Sequence, residues 1–461
     1  MKWIIFQLSI VTTSLAFSSI ERSPASSSEK MSLLNDLMGN SLVYSAQEII
    51  RSDLQKGQWS KNYEDFINII LNEVGSEQLD RLSFSSSQIK RSKNISYLHG
   101  KNELRKNKFK SAAKSIKRSL KSSEPFYVNQ LLFLGSAQML SGEKGLANNS
   151  FMECEAVLKN NIPKDEGLFG NEKRIILDSC ILNQARLDFE QGNFLLANQQ
   201  YDKIQKSSLV WPEILFEQAW SSFYLGNYNR TLGKLVTYKS PFFDFIFNPE
   251  VEVLEALSYM EICYYQNTQD VVNKFYKKYS HDAKYLKSFM KRYGSREEKV
   301  GSLLINVKNR EAIKNPLLKR IVISISKDLV FKRLIRNYYG IKDELKLVKN
   351  YPQRKYISYL AKKLKAAEKR QRALIGSYGL RILNRADRLL DKSFRGMSYI
   401  KLEILKKEKE KFFGKQYNVG KVGDLKNVTY DSTSYLWDFN GEFWADELGD
   451  YVFSLKSECR I

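Results

Sequence analysis

Residues 216–235 read FEQAWSSFYLGNYNRTLGKL, and this stretch decides how the fold is interpreted. Ala219 lies seven residues before Gly226, and Tyr228 follows two residues after that glycine. A residue as small as alanine lets two helix backbones approach closely, and glycine readily takes the left-handed conformation that ends a helix. The spacing therefore predicts two helices joined by a tight turn, with the aromatic residue packing the second helix against the first.

The same spacing recurs along the chain. Residues 182–201, LNQARLDFEQGNFLLANQQY, lie 34 residues earlier and repeat the pattern at Ala185, Gly192 and Phe194. Weaker copies occur at 97–116, 132–151 and 253–272. Self-similarity at a period near 34 residues is typical of a helical solenoid.

In these residues the chain resembles the tetratricopeptide repeat over 93–285, in about five units. Cys263 replaces the turn glycine of the last unit, and an insertion at 158–177 separates the second and third units. The resemblance implies antiparallel helix pairs that stack into a curved array, whose concave groove binds a helix or an extended segment of a partner protein. The facing of the first helices gives the predicted groove residues, Gln184, Asp188, Gln218 and Phe223.

The regions on either side of the array complete a mostly α-helical fold. We predict an N-terminal helical region at 31–92, a long basic helical or coiled-coil region at 286–415, and a small aromatic β element at 425–461. Residues 1–18 have one lysine, an apolar run and then small residues, which is typical of a cleaved export signal, with an uncleaved anchor as the alternative. We therefore expect a soluble mature chain in the periplasm, peripheral at most to an envelope membrane.

The four cysteines suggest disulfides, because an exported chain folds in an oxidising compartment. Cys154 and Cys180 fall on helices that would be neighbours in a stacked array, and we predict that they pair; the alternative is two buried thiols. The sequence has no CxxC pattern, and its two histidines, His99 and His281, are far apart. No metal site and no cofactor are expected.

Positive charge is concentrated in the second half. Residues 301–420 contain 31 Lys and Arg against 10 Asp and Glu, an excess of 21 that accounts for nearly all of the net charge of +23. Apolar residues at helical spacing predict a long helix over 358–394, with a break at Gly376 or Gly379 left open, and a second helix over 399–413. Two interpretations remain: binding of an anionic membrane surface or an envelope polymer, or a solvated face. An exported chain is not expected to meet nucleic acid.

Two aromatic segments stand apart from the repeats. The connector SPFFDFIFNPE at 240–250 predicts either a plug on the flank of the array or an exposed docking patch. In the C-terminal tail, Asn440-Gly441 predicts a β-hairpin turn, followed by a strand through Tyr451, and we expect the tryptophans to pack against the preceding helices.

The acidic residues of the tail permit an alternative function, an enzyme that acts on cell-wall glycans through a carboxylate pair. These acids are Glu442, Asp446, Glu447 and Asp450. The sequence offers no accompanying nucleophile, catalytic histidine or metal-ligand spacing, so we predict that the protein is not an enzyme and has no small-molecule substrate. The repeats and the tail together resemble exported tetratricopeptide-repeat proteins of gliding and predatory bacteria, some tied to motility. That resemblance implies a scaffold that binds envelope proteins.

Overall fold

The computed structural model describes residues 23–121, 126–159, 172–306, 313–412 and 435–459. The predicted export signal at 1–18 and most of the insertion at 158–177 lie outside these residues. The described residues are mostly α-helical. None of their helices is both long enough and apolar enough to cross a membrane.

Four short helices open the described chain. They are α1 (Ser27–Gly39), α2 (Val43–Gln55), α3 (Tyr63–Glu73) and α4 (Ser86–Arg91). α4 begins with a capping box, in which the hydroxyl of Ser85 accepts from the backbone N–H of Gln88 and the Gln88 side chain accepts from the backbone N–H of Ser85. Such reciprocal bonds satisfy N–H groups that a helix start would otherwise leave unpaired.

Five antiparallel helix pairs follow, and each pair packs against the next. The pairs are α5 (Lys93–Arg105) with α6 (Phe109–Ser119), α7 (Tyr127–Leu140) with α8 (Lys144–Lys159), α9 (Glu172–Glu190) with α10 (Phe194–Tyr201), α11 (Trp211–Tyr224) with α12 (Tyr228–Val236), and α13 (Glu250–Glu261) with α14 (Tyr265–Tyr293).

The turns of the five pairs share one backbone feature. In each turn one residue takes a positive φ, which a glycine or asparagine adopts at low cost. These residues are Asn107 (φ 59°), Gly142 (φ 85°), Gly192 (φ 80°), Gly226 (φ 75°) and Cys263 (φ 63°). Three of the pairs also have an alanine in the first helix at the position where the two helices meet. These alanines, Ala185, Ala219 and Ala256, are fully buried.

Four further helices complete the α-helical part. They are α15 (Glu297–Ile305), α16 (Pro316–Lys327), α17 (Leu329–Leu347) and α18 (Ile357–Phe412). α18 is one continuous helix of 56 residues, about 84 Å long at 1.5 Å per residue. The predicted helix at 358–394 and the described part of the one at 399–413 are therefore parts of a single helix without a break at Gly376 or Gly379.

α18 joins the N-terminal helices to the rest of the chain. Its first turns, including Leu360 and Leu364, share a hydrophobic core with Leu34 and Ile50 of α1 and α2. Its later residues share a second core with α13–α17. The N-terminal helices thus contact α17 and α18 directly, and α18 packs against the fifth helix pair.

The tail forms a β pair of a different kind from the one predicted. The strands β1 (Trp437–Asp438) and β2 (Tyr451–Val452) run parallel, with Trp437 opposite Tyr451. The predicted hairpin at Asn440-Gly441 is wrong, because a two-residue hairpin joins antiparallel strands.

Contacts with α12 hold this arrangement. The guanidinium of Arg230 donates to the carbonyl of Tyr451 at 2.7 Å. A side chain at position 233 would overlap that same carbonyl, so Gly233 gives the tail room to lie against α12. The tail buries Leu448, Tyr451 and Val452. Trp437 and Trp444, which we predicted to pack against the preceding helices, are 45% and 56% exposed.

A candidate binding cleft

A cleft of about 850 Å³ lies between the stacked pairs and the long helix. One wall comes from α9 and α11, the first helices of the third and fourth pairs. The other wall comes from α16 and α18, and residues 245–248 of the aromatic connector close one side. A cavity of this size lies in the range of sites that take small molecules or short peptide segments.

Aromatic side chains dominate the α11 wall. Phe216, Trp220 and Tyr224 are four residues apart, so they form one stripe along the helix. The Trp220 ring centroid lies 6.5 Å from that of Phe216 and 5.7 Å from that of Tyr224. Phe189 of α9 continues the stripe at 5.8 Å from Tyr224. Phe216 and Trp220 are half-buried and Tyr224 is 55% exposed, so much of this aromatic surface faces the open space of the cleft.

An ion-pair cluster fixes α9 against α11 at the base of this wall. The Arg186 guanidinium donates to Glu217 Oε1 at 2.6 Å and to Glu213 Oε2 at 3.0 Å. Tyr201 donates its hydroxyl to Glu217 Oε2 at 2.9 Å. Burial alone would lower the pKa of Arg186, but the hydrogen bonds and charges of Glu217 and Glu213 outweigh it and raise that pKa. The Arg186 guanidinium therefore stays charged, and its hydrogen bonds hold α9 against α11.

The α18 wall is apolar at its centre and basic at its rim. Ile382, Ala386 and Leu389 lie on one face of the helix and line the cleft, with Arg385 and Lys392 beside them. Lys392 forms an ion pair with Glu250 at the start of α13. This pair adds to the contacts between α18 and the fifth helix pair.

The aromatic connector is divided between core and cleft. Phe243 is buried against the tail, whereas Phe242 is exposed. Phe245, Ile246 and Phe247 are half-buried and line the cleft, and the ammonium of Lys327 lies 3.5 Å from the Phe245 ring centroid. The connector therefore contributes both to the flank and to the candidate site.

The predicted groove residues are mostly occupied elsewhere. Gln184 is buried and donates to Glu155 Oε2 at 2.7 Å. Gln218 is also buried; it donates to Asp202 Oδ1 at 2.7 Å and accepts from Lys234 Nζ at 3.0 Å. Both amides tie neighbouring helices together, so neither faces a groove that a partner could enter.

The other two predicted groove residues are half-buried and lie outside the set that lines the cleft. Burial raises the pKa of Asp188, with the charge of Lys203 opposing that effect. Phe223 packs its ring 5.6 Å from that of Trp220 and 5.3 Å from that of Tyr228.

The aromatic stripe of Phe216, Trp220 and Tyr224 was not among the predicted groove residues. The sequence could have indicated it, because these three residues are four positions apart in the stretch 216–235.

The acidic residues of the tail do not share one environment. Asp450 accepts from Lys206 at 2.7 Å and lies 3.7 Å from the Arg230 guanidinium. Glu442 and Asp446 are exposed. Asp450 thus helps to hold the tail on α12. On the same helix, burial and then the charge of the neighbouring Arg230 lower the pKa of Lys234 to about 7.

Two disulfides join the four cysteines. Cys154 of α8 and Cys180 of α9 form one, across the 160–171 stretch that lies outside the described residues. Cys263, in the turn of the fifth pair, is joined to Cys459 of the tail. The second disulfide therefore joins the end of the tail to the fifth helix pair, whereas Arg230 binds the tail from the fourth.

Comparison of the chain with protein-family models, with curated proteins and with solved structures finds no match.

Proposed function

We propose that this chain is an exported, tetratricopeptide-like scaffold that holds an apolar segment of a cell-envelope protein in the cleft between α11 and α18. The observation that carries the proposal is the partly exposed aromatic stripe of Phe216, Trp220 and Tyr224 inside a cavity of about 850 Å³.

The chemistry of the walls favours a peptide segment with bulky apolar side chains. Aromatic residues supply large contact areas at low cost in conformational entropy and dominate the energy of many protein interfaces. The ion-pair cluster around Arg186 fixes the stripe in advance, and preorganised walls lower the entropic cost of binding. An extended segment or one helical turn carrying two apolar anchors fits such a site.

The repeat-like organisation supports the tetratricopeptide assignment. Five successive helix pairs each place a positive-φ residue at the same point of the turn. Stacked pairs of this kind present their first helices side by side, which is how α9 and α11 come to share one wall. The groove of the array is not open along its whole length, because α18 lies across the cleft from the third and fourth pairs.

The cysteines support export. All four are paired in disulfides, which persist in oxidising compartments and are rare in the cytosol.

The test is recovery of bound proteins from an envelope extract of the source cells by the full chain and by two variants. Trp220→Ala removes the centre of the stripe, and we expect it to weaken capture of a defined protein at least ~10-fold, since a central aromatic anchor contributes about 2 kcal/mol or more. Tyr339→Ala, at an exposed tyrosine on α17, is the matched control and should bind as the parent does. Equal capture by the parent and Trp220→Ala would refute the proposed site.

A further inference from the structure

The C-terminal half of α18 presents an exposed face. Its residues recur at three- and four-residue spacing, so they lie on one side of the helix over about 30 Å. The members of this outer face are Arg388, Arg395, Tyr399, Leu402, Lys406 and Lys409, with Leu405 at one edge and Lys392, which also lines the cleft, at the other.

Burial on the opposite side fixes the direction of this outer face. Met397, Ile400 and Ile404 are at most 3% exposed and belong to the core that α14 shares with α18. Tyr399, Leu402 and Leu405 are 72%, 63% and 53% exposed. The helix is therefore held firmly by its inner side while three large apolar side chains point into solvent.

The charges of the outer face are strongly positive. Two of the nearby acids are paired with lysines: Asp391 with Lys287 at 2.7 Å and Glu403 with Lys406 at 3.7 Å. Lys392 is paired with Glu250. Within the described part of the chain, Arg388, Arg395 and Lys409 form no ion pair, so their charges face outward uncompensated.

We infer that this outer face docks on an anionic lipid surface, a role beyond the proposed binding in the cleft. A helix that alternates basic residues with tyrosine and leucine matches both parts of a bilayer interface. The cations meet negatively charged headgroups, and the apolar side chains enter the boundary below them. A soluble polyanion would use the cations alone and would leave Leu402 and Leu405 exposed, so the lipid surface accounts for more of the outer face.

The experiment is sedimentation of the full chain with vesicles of phosphatidylcholine, with and without phosphatidylglycerol, at low and moderate salt. We expect binding only to the anionic vesicles, weakening as salt screens the charges. Arg388→Gln, Arg395→Gln and Lys409→Gln together should weaken partitioning about 100-fold, at roughly 1 kcal/mol for each cation near the surface. Tyr399→Gln with Leu402→Gln keeps the charges and should weaken it at least ~10-fold.

A matched control removes the same number of positive charges from another exposed helix face. Lys114→Gln, Lys117→Gln and Arg118→Gln on α6 should leave vesicle binding unchanged, and circular dichroism should show all variants folded. The inference is overturned if the control loses as much binding as the outer-face triple variant, or if Tyr399→Gln with Leu402→Gln binds like the parent. It is equally overturned if the chain binds heparin through Arg388 and Arg395 but fails to bind vesicles.

Discussion

At the scale of single residues, Glu344 connects two ends of the sequence. Its carboxylate accepts from the backbone N–H groups of Tyr44 and Ser45, each at 2.8 Å, and from the Ser45 hydroxyl at 2.7 Å. These N–H groups belong to the first turn of α2, whose own N-cap residue, Leu42, gives no side-chain bond. A glutamate almost three hundred residues away therefore caps the helix.

Burial raises the pKa of Glu344 to about 7, against the opposing hydrogen bonds from Ser45 and Tyr44. The folded protein thus holds a proton that the unfolded chain releases near pH 4.5. Stability should fall as pH rises from about 4.5 to 7 and level off above that, because keeping the buried carboxylate charged then costs free energy.

The substitution Glu344→Gln removes this titration. Relative to that variant, we expect the parent to lose up to about 3 kcal/mol of unfolding free energy across that pH range, measured by urea unfolding at several pH values. A difference that is constant with pH would contradict the prediction. A difference of opposite sign would mean that the N–H groups of α2 hold the carboxylate ionised in the folded state.

At the scale of elements, the crossing of α15 and α18 depends on two glycines. A β-carbon at Gly376 would lie 1.8 Å from the Glu297 carbonyl oxygen, and one at Gly301 would lie 2.0 Å from the Arg372 carbonyl oxygen. These are backbone contacts that no side-chain rotation can relieve. Gly376, which seemed able to break the long helix, instead lets α15 lie directly against it.

Gly376→Ala should therefore destabilise the protein by about 3 kcal/mol or more, since overfilling a close contact forces the backbones apart. Thermal unfolding measures the effect. Gly145→Ala is the control: that glycine is the second residue of α8 and has open space around it, so alanine there should leave the free energy of unfolding unchanged or raise it slightly. An unfolding temperature for Gly376→Ala equal to that of the parent would contradict the close crossing.

Local sequence patterns predicted the elements whose contacts form within one helix pair. The alanine, glycine and aromatic spacing of 216–235 reflects contacts within one helix pair, and those contacts form between residues close in sequence. The parallel β pair depends instead on Arg230 and Gly233, which lie some two hundred residues before the tail. The Asn440-Gly441 pair contains no information about these contacts with α12. The turn pattern alone therefore predicted a hairpin that does not form.

At the scale of the whole molecule, α18 and the tail connect distant parts of the chain. α18 contacts the N-terminal helices at one end and α13 and α14 at the other, and the tail is tied to the fifth pair by the disulfide between Cys263 and Cys459. Apolar periodicity predicted that α18 is a helix, but periodicity does not specify which surfaces a helix covers. The cleft could not be predicted for that reason: half of it comes from α18.

Photocrosslinking from both walls of the cleft in the full chain tests the binding site between α11 and α18. A photoreactive amino acid is placed at Tyr224 on α11, at Leu389 on α18, or at the control Tyr339 on α17, and adducts formed in envelope extract are identified by mass spectrometry. We predict that Tyr224 and Leu389 crosslink to the same short apolar segment of one protein and that Tyr339 does not. Different adducts from the two walls, or the same adduct from all three positions, would contradict a binding site between α11 and α18.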